Sequence, residues 1–466
     1  MPSSEALTPV RMRRVAVVAP YAALRETLVR VADAGCVELE RLEEMGPGPA
    51  GRRLQRIRTP GREPVLAAAA PDLDALEREG RVELLAGEAQ LEERLYSAVR
   101  RGEVAALAGW CPAAEVSRLG QRLAPIGGAL VPLGAPRGVD PPTLLRGAQR
   151  PAGGFTPLVT TFGTVPYKDF DPSWPAGIVY VAMFGLMFGD VGHGGLLLLA
   201  ALTLRLGRPR KLARWRRLWP FLAGAGAAGM LAGFAYGEFF GPTGLLPVLW
   251  LNPLDEPERL LAVSIGIGAV LLTLALAAGT VNRWREDGPG RALYAASGSA
   301  GLALLLGLGL GCWGLYLHHC PVVVAGAVLA AAGLALAGVG LFQGTAGGAA
   351  GAAETGVRLF DVVVRTGTNT LSFARLAAFG LTHAALADLV WRGTAGLADR
   401  GPGYLLAAVV VFVAGTAAAV ALEALVAAVQ ALRLEFYEIF SRVFETEGRP
   451  FRPWHVRTAA DAEVTS

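Results

Sequence analysis

An arginine stands inside a stretch that reads as a membrane helix. The run TNTLSFARLAAFGLTHAALADLVW carries Arg375 with Arg365 and Asp388 as its nearest charged neighbours, which predicts a mid-helix position. A charge at that depth costs about 2.5–3.5 kcal/mol on insertion scales, and a guanidinium does not escape the cost by losing its proton. Two readings stand: a buried salt bridge or snorkelling side chain, and a charge-transfer path. A cation so far from either membrane face favours the second. The last apolar run, ALEALVAAVQALRLEFYE, supplies company. Glu423 and Gln430 are seven apart and share a helix face, while Arg433 comes next on the neighbouring strip, so a polar stripe runs along an apolar helix. In the plainer alternative, Glu423 pairs with an arginine for packing and Arg433 marks the membrane edge. His383, eight residues beyond Arg375, reads either as a hydrogen-bonded core histidine or as a proton relay.

Further polar residues lie earlier in the chain. Asp190 and His193 in MFGDVGHGG fall where two short helices are expected to meet, and read as a capping turn or as a polar site at one membrane face. Glu238 in GEFFG either faces an aqueous vestibule or ends a helix. His318 and His319 in LHHCP lack a converging carboxylate or cysteine pattern, so no metal is assigned. The four cysteines show no CxxC spacing, and no GxxxxGK[ST] phosphate loop occurs. No cofactor is expected.

These residues need a frame, and composition supplies it. The chain of 466 residues is 53% hydrophobic and 18% charged, with a mean hydropathy of +0.43, far from the roughly 25% charged residues of a soluble protein. The polar residues concentrate before about residue 171, and apolar runs fill most of the chain after it. The N-terminal MPSSEALTPVRMRRVAVV does not resemble a cleaved signal peptide, so a cytoplasmic N-terminal domain is expected. The formal net charge of +4 sits largely at membrane edges, where the positive-inside rule explains it, and a nucleic-acid partner is rejected.

Charge gaps give the predicted spans, each needing about 20 apolar residues. Between Asp171 and Arg205 the only acidic or basic groups are Asp190 and His193, which predicts two shorter helices. The segment RLGRPRKLARWRR, with seven basic residues, marks the cytoplasmic side. Further spans are predicted at Leu218–Gly237, Leu260–Asn282, a pair within Ala292–Ala353, Thr366–Trp391 and Tyr404–Leu434. The expected fold is mainly α: an eight-span helical membrane domain over 171–446, after a small α+β cytoplasmic domain over 1–170 and before a cytoplasmic tail over 447–466. Both termini are then cytoplasmic. Within the first domain, RVAVVAP, VAALAGWCP and GALVPLG read as strands, CVELERL as a short one, and Ala22–Ala34 and AEVSRLGQRL as helices. Glu44–Pro71 reads as a loop and Leu73–Arg101 as a charged helical arm.

The ordered set FTPLVTTFGTVPYKDFDP, MFGLMFGDVGHGGLLLLAAL, GEFFG, NTLSFARLAAFGLTHAAL and ALRLEFYEIFSRVFETEGRPFRPW resembles the V-type and A-type ATPase membrane subunit called a or I. The resemblance implies a non-catalytic stator subunit of an ion-transporting rotary ATPase, set in the lipid bilayer beside a ring of proteolipid subunits that each carry one membrane carboxylate. It also implies central and peripheral stalk partners and a multi-pass protein of a prokaryotic-type plasma membrane. Arg375 matches the family's essential arginine, and Glu423, Arg433 and His383 match its accompanying polar residues. Two departures stand out. The polar N-terminal part is short where the family has a long coiled-coil hairpin with a second lobe. Around the arginine, Ala377, Ala378, Ala385 and Ala387 replace bulky or polar neighbours. A stand-alone secondary transporter and an assembly or regulatory paralogue are the alternative readings.

Overall fold

The computed structural model describes residues 8–40, 46–57, 63–136, 138–146, 155–207, 215–216 and 218–459. Most of the arginine-rich segment expected on the cytoplasmic side therefore lies outside the described residues. The described chain forms two compact units, one of residues 9–146 with the stretch from Gly448 onward, the other of residues 147–447.

The first unit is an α+β lobe. Strand β1 (Met12–Pro20) buries Val15, Val17 and Ala19 on one face, as its period-2 pattern requires. Helix α1 (Leu24–Ala34) comes after a single 3₁₀ turn and ends on Gly35, whose left-handed φ of 56° suits glycine. Then come β2 (Glu38–Leu39), α2 (Pro49–Arg56), β3 (Val65–Leu66), α3 (Leu73–Glu79), α4 (Val82–Tyr96), β4 (Val99–Arg101), β5 (Val104–Pro112), α5 (Val116–Leu123) and β6 (Ala129–Pro132). The sheet runs β2-β5-β1-β6, with β4 also on β5, and its pairs are antiparallel. Because β1 and β2 both flank β5, they run parallel to each other across it, as a split β-α-β unit does.

Three expectations change here. The stretch expected as a loop holds α2 and β3. The charged arm is two helices broken at Gly80, and they pack into the lobe: Leu91 joins the sheet's core while Leu76, Leu84 and Leu85 form a second apolar cluster. The stretch expected as a tail is folded: Trp454 and Val456 are buried in the same core, the Trp454 amide bonds the Val37 carbonyl at 2.9 Å, and Arg457–Thr458 pairs with β3 as β7. Charge content hid all three, because short apolar positions such as Trp454 and Val456 are spaced among arginines.

The second unit is helical: α6 (Thr156–Phe162), α7 (Ser173–Met187), α8 (Val191–Arg205), α9 (Trp219–Tyr236), α10 (Pro257–Asp287), α11 (Pro289–Tyr294), α12 (Ser299–Tyr316), α13 (Cys320–Gln343), α14 (Gly348–Leu371), α15 (Ala374–Ala398) and α16 (Leu405–Leu434). The mainly α class holds, but the eight-span count is not confirmed. Among the described residues, five stretches are long and apolar enough to cross a membrane: 257–287, 289–316, 320–343, 348–398 and 402–443. Helices α7 and α8 have 15 residues each, about 22 Å at 1.5 Å per residue and short of a ~30 Å hydrocarbon core. Glycine lets α8 and α9 touch backbone to backbone. A Cβ on Gly194 would lie 2.7 Å from the Gly226 carbonyl oxygen, and one on Gly226 would lie 2.8 Å from that of Gly194.

The span expected over Thr366–Trp391 is not one helix. Thr366, Thr368, Thr370 and Ser372 each turn a hydroxyl back onto a carbonyl four residues earlier, at 2.7–3.0 Å, a bond that weakens and bends helices. After this run α14 stops, Phe373 is fully buried, and α15 starts anew. Phe373 lodges against α10 where Gly268 leaves room, since a Cβ there would meet its ring at 2.2 Å.

Candidate functional site

The break in the chain sets Arg375. Instead of lying mid-helix, it sits in the first turn of α15, and its Nε donates to the carbonyl of Ser372 at 3.0 Å. That carbonyl, at the end of α14, also accepts the Arg375 amide at 3.3 Å, and the guanidinium adds a charged donor at the negative end of the helix. Its Nη2 donates to Glu438 Oε1 at 2.7 Å. Glu438 lies in a π-helical segment, Glu435–Phe440, that prolongs α16 past the charges where the sequence suggests the helix should stop. The pair is unequal in exposure: Arg375 keeps 23% of its side-chain surface and Glu438 only 7%. Ser372, Arg375, Val429, Arg433, Tyr437 and Glu438 line an open groove of about 600 Å³. Arg433 is exposed there and has no hydrogen bond or ion pair among the described residues.

The other predicted residues gather elsewhere. His383 Nδ1 shares a short hydrogen bond with Glu423 Oε2, and His383 Nε2 lies 3.4 Å from His193 Nδ1. Asp190 stands beside them, its Oδ1 4.0 Å from His193 Nδ1. All four residues are buried. Asp190 is also the N-cap of α8: it accepts the amides of His193 at 2.9 Å, Phe240 at 3.0 Å and Gly241 at 2.7 Å. Receiving the last two amides, in GEFFG, accompanies a left-handed φ of 50° at Phe240, a strained value for a bulky residue. Phe188, Phe240 and the two imidazoles stack edge and face around the pair, with the Phe188 ring 4.8 Å from that of His383.

The structure thus divides the expected stripe. Glu423 joins His383, His193 and Asp190 and does not reach Arg375, whose ion-pair partner is Glu438. Gln430 lies between the two groups, with no partner on its Oε1. Glu238 is buried with neither carboxyl oxygen hydrogen-bonded, and Glu435 is in the same state. Sequence reasoning misses Glu435 and Glu438, because ALRLEFYE reads as a helix running out into a charged tail. The available signal is the aromatic spacing of Phe436, Phe440 and Phe444, which stack in sequence and keep the segment helical and buried.

In the polar last turns of α10, Arg283 is fully buried. It faces Asp169 at 4.0 Å, Glu286 at 3.0 Å and Glu445 at 3.3 Å. Burial, with Glu286 close by, pushes the Asp169 carboxyl up to about 7.

The chain is similar to known proteins of one kind. A model of the V-type ATPase 116kDa subunit family matches residues 95–217. The A-type ATP synthase subunit I of Halobacterium salinarum is 28% identical over 386 residues, covering 68% of this chain and 52% of that protein. The subunit I of Aeropyrum pernix is 28% identical over 421 residues, 77% of this chain and 58% of its own length. The V-type proton ATPase subunit a, vacuolar isoform, of Saccharomyces cerevisiae is 28% identical over 181 residues, 34% of this chain and 21% of its own. The chain spans about half the length of the archaeal relatives it matches. The resemblance carried by the motifs is borne out, and this chain is a relative of the V-type and A-type ATPase membrane subunit called a or I.

Proposed function

We propose that the chain is the non-catalytic stator subunit of an A/V-type rotary ATPase, in which Arg375 faces the membrane carboxylates of a proteolipid ring. The observation that carries this reading is the setting of Arg375: a permanent cation, anchored on one side by Glu438 and Ser372, opening into a groove shared with Val429, Arg433 and Tyr437. Val429 and Tyr437 on the groove's rim are 53% and 71% exposed, and Leu422 and Leu425 continue the same uncovered apolar surface along α16. A face of this kind suits lipid or a greasy helix that brings a carboxylate.

A guanidinium there attracts an ionised ring carboxylate and repels a free proton, so it favours proton release and blocks direct leakage past itself. Glu438 holds the side chain in the groove between visits. The protons need a route on each side of Arg375. Asp190, His193, His383, Glu423 and Glu238 supply a buried chain of groups that exchange protons, with His193, His383 and Glu423 already in hydrogen-bond contact. His383 is eight residues from Arg375 along α15, about 12 Å. A second set of groups, Glu435 and Glu438, lies where the end of α16 meets Arg375. Two half-channels offset in this way make rotation of the ring the path between them. Arg433 and Gln430, between the groups, line the passage.

The lobe unites segments from both halves of the chain, so its two ends share a side, which the positive-inside reading makes the cytoplasm. Central and peripheral stalk subunits are then its partners, with the protein multi-pass in a prokaryotic-type plasma membrane. The test is ATP-driven proton uptake by vesicles carrying the assembled complex. Arg375→Ala abolishes uptake while assembly persists; wild-type uptake in that variant overturns the reading. Co-purification of ring and stalks separates it from a stand-alone transporter, which would be active alone.

A further inference from the structure

The geometry around His193 and His383 points to a second capacity: we propose that Asp190, His193 and His383 form a binding site for a divalent transition metal of the zinc class. The donor atoms of the three residues lie within 4.8 Å of one another, and all three residues are buried. The imidazole nitrogens face each other across 3.4 Å. Two nitrogens bound to one tetrahedral zinc at about 2.0–2.1 Å are separated by about 3.4 Å, so the nitrogen spacing already suits the ion and the rings need only turn to aim both lone pairs at it. Asp190 Oδ1, now 4.0 Å from His193 Nδ1, closes to the same spacing with a shift of about half an ångström.

The surroundings are those of a metal ligand set. His383 uses Nδ1 for its bond to Glu423, which leaves Nε2 with its lone pair turned toward His193. A carboxylate behind a histidine in this way fixes the tautomer and raises the ligand's basicity. Asp190 is held by three backbone amides, two on Oδ1 and one on Oδ2, so ligation through Oδ1 requires one of those amides to give up its bond. With both imidazoles neutral and His383 donating from Nδ1 to Glu423, the bridging proton of the metal-free site sits on His193 Nδ1. On binding, that proton moves to His193 Nε2, both facing nitrogens donate lone pairs to the ion, and no net proton is released. The fourth position falls to water or to Glu238, whose buried carboxyl has both oxygens free of hydrogen bonds. Metal binding here is independent of whether the cluster carries protons. If it does, the ion replaces the bridging proton and closes that route.

The histidine census makes the test clean, since the chain has five: His193, His318, His319, His383 and His455. The experiment is a calorimetric Zn²⁺ titration of the untagged full-length protein in detergent, repeated on H193Q, H383Q, E423Q and the double variant H318A/H319A. The expected result is one Zn²⁺ per chain in the wild type and in H318A/H319A. Affinity falls at least tenfold in H193Q and H383Q and about ten- to a hundredfold in E423Q. X-ray absorption of the zinc-loaded wild type covers the case of a variant that fails to fold. It should show imidazole and oxygen scatterers at about 2.0 Å, whereas a thiolate shell at about 2.3 Å would assign the ion to a cysteine site. A wild type without a 1:1 site, a site that survives both histidine substitutions, or a thiolate shell each overturns the proposal.

Discussion

The lobe and the helical unit handle buried charge in opposite ways. In the lobe, carboxylates pair with arginines: Glu40 takes two bonds from Arg14 at 3.0 and 2.7 Å, the buried Glu88 takes two from Arg25 at 2.8 and 2.7 Å, and Asp74 takes one from Arg53 at 2.6 Å. In the helical unit, among the described residues, Glu238 and Glu435 are buried with neither oxygen hydrogen-bonded, and Glu423 and Glu438 each have one oxygen free. A polar group buried without a partner costs about 1–3 kcal/mol or more. The arginine-paired carboxylates of the lobe avoid that cost. A unit that retains it several times over, in line with its polar helix ends, has a use for groups that can gain and lose a proton. The difference is the one expected if the helical unit has the transport role proposed for it and the lobe has none.

Breaking the core of either region separates the two roles. Phe373→Ala empties the wedge against Gly268 and costs about 3–5 kcal/mol. Thermal unfolding of the detergent-solubilised protein should register it, and pumping should fall with it because the start of α15 loses its seat. Leu91→Ala in the lobe costs about 2–5 kcal/mol on the same scale, and limited proteolysis should show cuts confined to the lobe.

The next expected effect is a pH dependence outside the apolar spans. The Asp169 carboxyl, pushed up to about 7 by burial and Glu286, binds a proton more tightly in the folded chain than in the unfolded one. Folded stability therefore falls as pH rises from about 4 through 7. Asp169→Asn should flatten that slope in a melting series across the same window, and an unchanged slope would remove Asp169 as its source.

The lobe supplies the smaller counterpart, of opposite sign. The Arg14 guanidinium holds the Glu40 carboxyl below its ordinary range, so the pair stabilises above that range and loses its effect as pH falls through it. Both side chains are partly exposed, which limits the contribution to about 1 kcal/mol or less. Arg14→Ala should lower the lobe's melting temperature by a few degrees at neutral pH and by less at pH 3.

Legibility in the sequence respects the same division. Strand alternation in RVAVVAP and VAALAGWCP gives β1 and β5, because one-sided burial writes its period directly. Arg375, His383, Glu423, Asp190, His193 and Glu238 are each visible as polar intrusions in apolar runs. Their grouping is not, since it depends on which helix faces which: the polar stripe suggests Glu423 beside Arg375, and the fold gives it to His383. The interruption at Ser372–Phe373 is encoded in TGTNTLS through alternate hydroxyls that bond back to carbonyls, a cue that hydropathy overlooks. Glu438 escapes for a related reason, because a π-helical turn carries a charged segment into the interior. The span count depends on length, and α7, α8 and α9 are shorter than the charge gaps that contain them.

The central claim, that buried carboxyls without partners are kept for transport and not for folding, meets its most direct test in Glu238→Gln and Glu435→Gln. Melting temperature and ATP-driven proton uptake are measured on the same preparations of the assembled complex. The account predicts uptake reduced at least tenfold with the melting temperature unchanged or raised, because an amide is cheaper to bury than a carboxylate. Lowered melting with uptake retained would contradict it.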